Sequence, residues 1–574
     1  MLPKYFSIAI SLSLKPRFIL FTLFSLLITF KILVLTNNFI IIPQPIKIIS
    51  IHKQSLPFSP VSIPVKPPKW LEVIQGYEPA YKRVLRVGLV NFQANQQSSL
   101  SLSGIAEPVI INLEPVSSNI TWNKLFLHEM SDKPSKSCPE IPMPKAMKYP
   151  KLDVVVVELP CGESKDGYNR SEMGGIRDVG RLQLSMASAH LIVENAIRKK
   201  IKHVYGVFMT KCEPMVELFR CDDLIWHEGD YWIYKPKVER LREFLSMPLG
   251  TCNLALPYAQ PLGKNNLQAK SMSKQETKQM LRPREAYVTI LHSSESYVCG
   301  AIALAQSILL TNTTKDLVLL ADRTISDHSI VGLQAAGWKI KRVDRIRSPY
   351  ANLSAYNAWN YSKLRVWQLT EYHKIVFIDS DLIVLRNIDH FFDYPQLSAA
   401  PNHGFLFNSG IMLVEPSECF FRTLMGKRFT IKSYNGGDQG YLNEVVTYWH
   451  RLSRKLNYMK IFFDDLEAGK RVVPNDQYAI HFFGLKPWLC YRDYDCNWDS
   501  KNYHMYASDD IHALWWQVHD AMPKELQMHC GMTKKRDKQL RKWRVLAKNE
   551  NRSDVHWKIE IRDPRQYSLV GSTR

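Results

Sequence analysis

The chain has 574 residues, more than one hydrophobic core usually organises, so two or three domains are expected. Its 45% hydrophobic and 22% charged composition excludes wholesale disorder. The formal net charge of +21 is spread along the chain, with no zinc-finger spacing, no aromatic RNA-binding motif and no single basic helix, so no nucleic-acid partner is expected.

Near the N-terminus, Phe18 to Thr36 is almost wholly apolar, with one charge at Lys31. As a helix it would be about 28 Å long, close to a bilayer core. Lys31 stands near its far end, where the ammonium can reach the interface. Lys4, Lys15 and Arg17 precede the stretch, and only Lys47 carries charge in the fifteen residues after it. The charge asymmetry predicts residues 1–17 as a cytosolic tail, 18–36 as an uncleaved signal anchor, and the rest as lumenal. Residues 37–85 hold prolines at 43, 45, 57, 60, 64, 67 and 68 and read as an extended stem. Six Asn-x-Ser/Thr sequons, at Asn119, Asn169, Asn312, Asn352, Asn360 and Asn551, agree with a lumenal body. Ten cysteines without a Cys-x-x-Cys pair argue for disulfides rather than zinc, for instance Cys490 with Cys496 or Cys212 with Cys221.

Residues 86–260 read as a first α/β region. Strands are predicted at Leu85–Asn91, Leu152–Leu159 and His203–Met209, with a helix over Arg177–Arg198. No Gly-rich phosphate loop follows either early strand, and Gly174-Gly175 is too short to count, so a structural or acceptor-binding role is expected. The Lys-, Gln- and Ser-rich stretch 261–284 reads as a linker. A strand at Glu285–Leu291 follows, then a helix over Tyr297–Leu310, a strand at Asp316–Ala321, a helix over Ser326–Ala336 and a strand at Trp338–Val343. That βαβαβ order predicts a parallel sheet. Lys363–Thr370 reads as helical.

Residues 374–385, Lys-Ile-Val-Phe-Ile-Asp-Ser-Asp-Leu-Ile-Val-Leu, are the centre of the chain. A β-branched and aromatic run buried on both faces ends in two carboxylates, whose desolvation something must offset. Alternate strand residues point to one side, so Asp379 and Asp381 are expected to converge on one divalent cation at the carboxyl end of the sheet. Downstream lie Phe407-Asn-Ser-Gly-Ile-Met-Leu-Val-Glu-Pro416, the tight turn Gly436-Gly-Asp-Gln-Gly440 before a predicted helix at Tyr441–Trp449, and His481-Phe-Phe-Gly-Leu-Lys-Pro-Trp488. Alone, each has an ordinary explanation as turn, core histidine or solvated charge.

Together, in this order and with helix-length spacings, the four motifs resemble glycosyltransferase family 8, which includes glycogenin, over about residues 285–500. The resemblance implies a GT-A (Rossmann-like) domain, a UDP-sugar donor, Mn²⁺ and retention of anomeric configuration. Carried over, Asp379, Asp381 and His481 bind the metal, a mixed carboxylate and imidazole set that suits Mn²⁺. Lys486, with Gly484 allowing close approach, holds the diphosphate. Asp438 is the nucleophile or stabiliser, Gln439 faces the anomeric centre, and Asn408 contacts sugar or acceptor. Lys363 touches sugar or diphosphate, Tyr297 packs on uracil, and Ser380 lies in the donor site. An arginine common upstream of that lysine has no counterpart within Asn352–Tyr361. The N-terminal region and a tail over 501–574, with Ala513-Leu-Trp-Trp516 and His556-Trp-Lys-Ile559, resemble the plant xylan α-glucuronosyltransferases of the Golgi. That resemblance implies UDP-glucuronate as donor, an α-1,2 bond to xylan as acceptor, and a type II Golgi membrane protein, with room for a complex with other xylan-synthesis enzymes. The sugar carboxylate needs a cation, and Lys363, Arg365 and Arg386 are the nearest by sequence. The basic run Lys534–Arg544 reads as a solvated helix.

Three competing readings stand beside this one. One is a galacturonosyltransferase of pectin synthesis using UDP-galacturonate. Another is a phosphohydrolase with Asp379 as nucleophile and Asp464-Asp465 as a later metal pair. The third is a non-catalytic Golgi partner. If the metal is catalytic, Asp381→Ala is expected to remove activity with little loss of fold.

Overall fold

A computed structural model of the chain describes residues 67–77, 84–92, 102, 104–127, 132–133, 138–161, 175–258, 284–402, 405–462, 471–563 and 565. The expected cytosolic tail and membrane anchor, most of the stem, nearly all of the linker, Asn169, Gly174 and Asp464-Asp465 lie outside them. Among the described residues no helix is long and apolar enough to cross a membrane.

Helix α1 (Lys69–Tyr77) precedes a six-stranded sheet of β1 (Leu85–Val90), β2 (Ala106–Ile111), β3 (Val154–Glu158), β4 (Tyr205–Met209), β5 (Leu224–Glu228) and β6 (Tyr231–Tyr234), in the order β2-β1-β3-β4-β6-β5. The first four strands run parallel, and β6 and β5 close one edge antiparallel. Helix α2 (Val179–Lys199) is the crossover from β3 to β4. Asp178 caps it by accepting from Arg181 N at 2.6 Å, and Lys200 ends it in the left-handed region at φ 56°. The alternation of β1 and β3 sorts their side chains. Leu85, Val87, Leu89, Val154 and Val156 pack with Trp70, Leu71 and Ile74 of α1. Val155 and Val157 face α2.

The second sheet has seven strands: β7 (Glu285–Leu291), β8 (Asp316–Ala321), β9 (Lys339–Arg342), β10 (Lys374–Ile378), β12 (Ser398–Pro401), β13 (Phe407–Val414) and β14 (His450–Arg451). Their order is β14-β12-β13-β10-β7-β8-β9. Strands β10, β7, β8 and β9 are parallel, while β13 runs antiparallel to β10 on its other side. Helix α3 (Val238–Leu245) precedes β7, α4 (Val298–Leu309) joins β7 to β8, and α5 (Asp327–Ala335) joins β8 to β9. Every residue of β10 is buried. Ile375 and Phe377 face the core shared with α2, and Val376 and Ile378 face the core shared with α4. Phe377→Ala would cost about 3–5 kcal/mol. The short strands β11 (Leu382–Val384), β15 (Tyr458–Met459) and β16 (Ala479–His481) form a third sheet, ordered β11-β16-β15.

Several local expectations change, and the first is that residues 69–77 of the expected extended stem form α1 and pack their apolar face on the first sheet. Residues 360–368 form a 3₁₀ stretch rather than an α-helix. The helix predicted at Tyr441–Trp449 is α7 (Asp438–Val445), preceded in the chain by α6 (Glu418–Lys427), so the Gly-Gly-Asp-Gln-Gly turn supplies its first residues. The chain leaves α7 early because Thr447 and Tyr448 are drawn into contacts with the N-terminal region. The basic C-terminal run lies in α9 (Lys534–Asn549), after α8 (Asp509–Ala521).

One continuous core runs from the α2 side of the first sheet into the second sheet. Phe244 and Tyr448 meet at 4.9 Å across it. The buried Lys374 Nζ donates to Glu243 Oε1 at 2.9 Å, and Arg220 Nη1 to Glu415 Oε2 at 2.7 Å. The cysteines pair as Cys138–Cys252, Cys161–Cys212, Cys221–Cys419, Cys299–Cys530 and Cys490–Cys496, with Cα separations of 4.9 to 6.0 Å. The Cys212–Cys221 pair expected from proximity in sequence is therefore wrong. Cys212 lies just past β4, beside the chain leaving β3 at Cys161, because those strands are parallel neighbours. Cys221 reaches α6 instead.

Candidate active site

Asp379 and Asp381 do not lie on a strand. β10 ends at Ile378, and Asp379-Ser-Asp381 is a turn before β11, held by Asp379 N donating to Gly410 O at 2.8 Å and Leu382 N to Asp379 O at 3.2 Å. The expected strand alternation is thus replaced by a turn, which brings both carboxylates to the carboxyl end of the sheet by another route. β11 pairs antiparallel with β16, with Leu382 opposite His481, and that register delivers the imidazole. One ligand atom from each of Asp379, Asp381 and His481 lies within 4.8 Å of the others.

Hydrogen bonds fix the tautomer of that imidazole. Gly410 N, necessarily a donor, meets Asn408 Oδ1 at 2.8 Å. The same oxygen accepts from Asn457 Nδ2 at 2.9 Å. Asn457 Oδ1 therefore faces His481 Nδ1 at 3.1 Å and must accept from it. Nδ1 carries a proton, and Nε2 is aimed at Asp381 Oδ1, 3.3 Å away. Two lone pairs at that distance repel, so the pair requires a positive charge between them, a proton or a metal ion. An oriented imidazole with two carboxylates is a donor set that fits a divalent metal.

Two lysines complete the cluster, Lys363 buried and Lys486 half-buried. Lys486 Nζ lies 2.7 Å from Asp381 Oδ2 and also donates to Phe482 O. Lys363 Nζ lies 2.7 Å from Asp438 Oδ2, 3.1 Å from Asp379 Oδ1, and 3.2 and 3.1 Å from Ser409 Oγ and O. Its three N–H donors are taken, so it ties the metal side to the sugar side and has none spare for a sugar carboxylate. Burial pushes the Asp381 carboxyl up, but Lys486 and His481 more than offset that and hold it well below the usual range. For Asp379 burial wins, aided by Asp381 and Asp438, and Lys363 only partly opposes the rise. Burial alone would lower both lysines, yet the carboxylates hold them above the ordinary lysine value. Three carboxylates face two ammoniums, so the cluster is one charge short of binding an anion. A divalent cation reverses that sign.

Asp438 and Gln439 open α7. Asp438 is buried and accepts from Ser409 Oγ at 2.8 Å. Gln439 Oε1 accepts from Ser409 N at 3.2 Å, and its Nε2 donates to Tyr434 OH at 3.2 Å. Asn408 is spent on the His481 network and on Asn402 Oδ1 at 3.1 Å. Tyr297 stands at the start of α4, edge-on to Trp488 with ring centroids 5.8 Å apart, and Trp488 Nε1 donates to Ser296 O at 2.6 Å. Ser380 is buried, its carbonyl against Gly300, where a Cβ would come within 2.6 Å. Gly484 has φ +69°, and a Cβ there would lie 2.5 Å from Asn497 Oδ1. Arg365 is bonded to Asp344 O and Gln368, and Arg386 to Asn475 O, so neither joins the cluster. Sequence reading missed Ser409 as the bridge between Lys363, Asp438 and Gln439, though it sits inside a quoted motif. It also missed Asn457, which no local pattern marks.

Comparison with known proteins gives two family matches, glycosyl transferase family 8 over residues 288–400 and the GUX1-5 N-terminal domain over 63–252. An Arabidopsis thaliana chain provisionally named UDP-glucuronate:xylan alpha-glucuronosyltransferase 5 is 48% identical over 97% of this chain and 98% of its own. UDP-glucuronate:xylan alpha-glucuronosyltransferase 2 of the same plant is 46% identical over 84% of this chain and 80% of its own. Human glycogenin-1 is 31% identical over 44% of this chain and 76% of its own.

Proposed function

This chain belongs to glycosyltransferase family 8, among the UDP-glucuronate:xylan alpha-glucuronosyltransferases, and from that membership we propose that it moves glucuronic acid from UDP-glucuronate onto the xylan backbone. The observation that carries the chemistry is the convergence of Asp379, Asp381 and an oriented His481 Nε2 beside Lys486. In this reading residues 285–500 are a GT-A domain, the α/β region 86–260 precedes it, and the bond formed is an α-1,2 linkage with retention. Asp379, Asp381 and His481 would hold Mn²⁺, which when bound supplies neutralisation of charge on the departing UDP. Lys486 adds a second positive charge there, and Gly484 lets the backbone approach the diphosphate. Tyr297 packs on the uracil. Asp438, paired with the Lys363 ammonium at 2.7 Å, faces the anomeric centre with Gln439 from the first turn of α7. Residues 18–36 anchor the protein in the Golgi membrane with this site in the lumen.

The test is a donor screen. The full chain is supplied with UDP-glucuronate, UDP-galacturonate, UDP-glucose or UDP-xylose, each with Mn²⁺, Mg²⁺ or chelator, and xylo-oligosaccharide as acceptor. Products are read by mass spectrometry. Glucuronosyl-xylo-oligosaccharide formed with Mn²⁺ and abolished by chelation is expected. Product from another donor with none from UDP-glucuronate would refute the assignment, and undiminished turnover in chelator would remove the metal.

A further inference from the structure

We propose that the N-terminal α/β region braces the sugar-facing side of the active site, with Arg177 and Glu217 as its positioning residues. The inference rests on the reading above that Asp438 and Gln439 face the sugar. Those two residues open α7, which is only eight residues long. A helix of two turns does not hold its place by its own hydrogen bonds, so neighbours must fix it.

The N-terminal region supplies three of them. Arg177 Nη2 donates to Asn443 O at 2.9 Å and Nη1 to Glu444 Oε2 at 3.3 Å, so one planar fork grips consecutive residues of the last turn of α7. The buried Glu217 Oε1 accepts from Thr447 N at 2.7 Å, Tyr448 N at 3.0 Å and Thr447 Oγ1 at 3.3 Å, which sets where the chain leaves α7. Gly175 packs its bare backbone on the same turn, where an added Cβ would lie 2.0 Å from Thr447 Cγ2 and 2.9 Å from Glu444 O.

The grip is relayed to the reacting end. The Asn443 amide makes both backbone bonds of Phe407, accepting from its N at 2.9 Å and donating to its O at 3.0 Å, and also donates to Gln439 O at 2.9 Å. Phe407 begins β13, which two residues later presents Ser409 to Asp438, Gln439 and Lys363. A shift of α7 against β13 therefore moves Asp438 and Gln439 directly, whereas the metal set, Lys486 and Tyr297 stand on other elements and the metal set is reached from α7 through the Lys363 ammonium. On the same flank the Cys221–Cys419 disulfide and Ser417 Oγ donating to Asp222 at 2.8 Å fasten the region to α6.

The prediction is a split between turnover and nucleotide binding. In the full chain, Arg177→Lys keeps the charge but loses the fork. Its kcat should fall about 10- to 100-fold, the penalty of a sub-ångström to 1 Å misplacement. The number of UDP–Mn²⁺ sites by calorimetry should be unchanged and their affinity within twofold. Glu217→Leu should repeat that pattern, and Glu217→Gln, which keeps an acceptor at Oε1, should recover turnover to within a few-fold of wild type. Turnover of Arg177→Lys within twofold of wild type, or a loss matched by an equal loss of UDP sites, would overturn the brace. Asp438→Asn runs alongside. If it is inactive while Arg177→Lys is not, the brace alone fails; if it is fully active, the sugar-site reading fails and takes the brace with it.

Discussion

Removing the charge of Asp381 should cost both catalysis and stability, and the two losses should separate in a double variant. Asp381 touches Lys486 at 2.7 Å and His481 at 3.3 Å, with side chains only 13%, 12% and 9% exposed. At an effective dielectric of about 20 the lysine contact is worth roughly 6 kcal/mol before desolvation. The measured cost of breaking one partner of such a pair is about 3–5 kcal/mol. The low end, about 3 kcal/mol, applies to Asp381→Asn because Lys486 keeps the Phe482 carbonyl and the site is partly open. This differs from the expectation of little loss of fold, since sequence could not show that Lys486 leans on this carboxylate. Loss of a metal ligand removes several kcal/mol of transition-state stabilisation, and about 4 kcal/mol is a thousandfold in turnover. Asp381→Asn/Lys486→Met removes the stranded ammonium as well. It should regain most of the stability and none of the activity. Denaturant unfolding and mass-spectrometric turnover give the two readouts. A double variant as unstable as Asp381→Asn, or Asp381→Asn retaining more than a tenth of wild-type turnover with Mn²⁺, would refute the reasoning.

Three further outcomes follow from the geometry. Gly410→Ala places a Cβ 2.5 Å from His481 Cε1 and 2.7 Å from Asn408 Oδ1. It should cost about 1–3 kcal/mol and raise the Mn²⁺ concentration for half-maximal turnover about 10- to 100-fold, whereas an unchanged metal titration would contradict the His481 assignment. Lys363→Met leaves the buried Asp438 and the half-buried Asp379 without their shared cation, so unfolding should ease by about 3–5 kcal/mol and turnover should fall at least a hundredfold; near-normal stability in denaturant would show that Lys363 is not the tie. His556 sits 2.6 Å from Asp509 Oδ2 and 3.1 Å from Asp554 Oδ1. Burial lowers its pKa, but the hydrogen bonds to those two carboxylates raise it from 6.5 to about 9 overall. Its contribution, at most on the order of 3 kcal/mol, is fully present below pH 6.5 and is lost as pH rises through about 9. Unfolding at pH 6 and pH 9.5 should show that slope in the wild type and lose it in His556→Gln.

The strands at Glu285–Leu291 and Asp316–Ala321 were legible residue for residue, because continuous apolar runs buried on both faces leave little freedom of assignment. The motif order likewise marked the family and named every residue of the cluster except Ser409 and Asn457. Boundaries at the site were harder to read. Gly436-Gly-Asp-Gln-Gly440 has the composition of a turn, yet Asp438 starts a helix, because contacts to β13 and to the N-terminal region override local propensity.

By itself the sequence determined the succession β7, α4, β8, α5, β9 and β10, which chemistry clusters along the chain and which family it joins, since these depend on local periodicity and on short ordered motifs. Tertiary structure alone decided which cysteines meet, which nitrogen of His481 faces Asp381, that Lys363 has no donor left for a sugar, and that Arg177 reaches α7 across more than 260 positions of chain. The physical reason is that hydrogen-bond direction and ion pairing are set by strand register and packing between distant elements, which no local window of residues encodes.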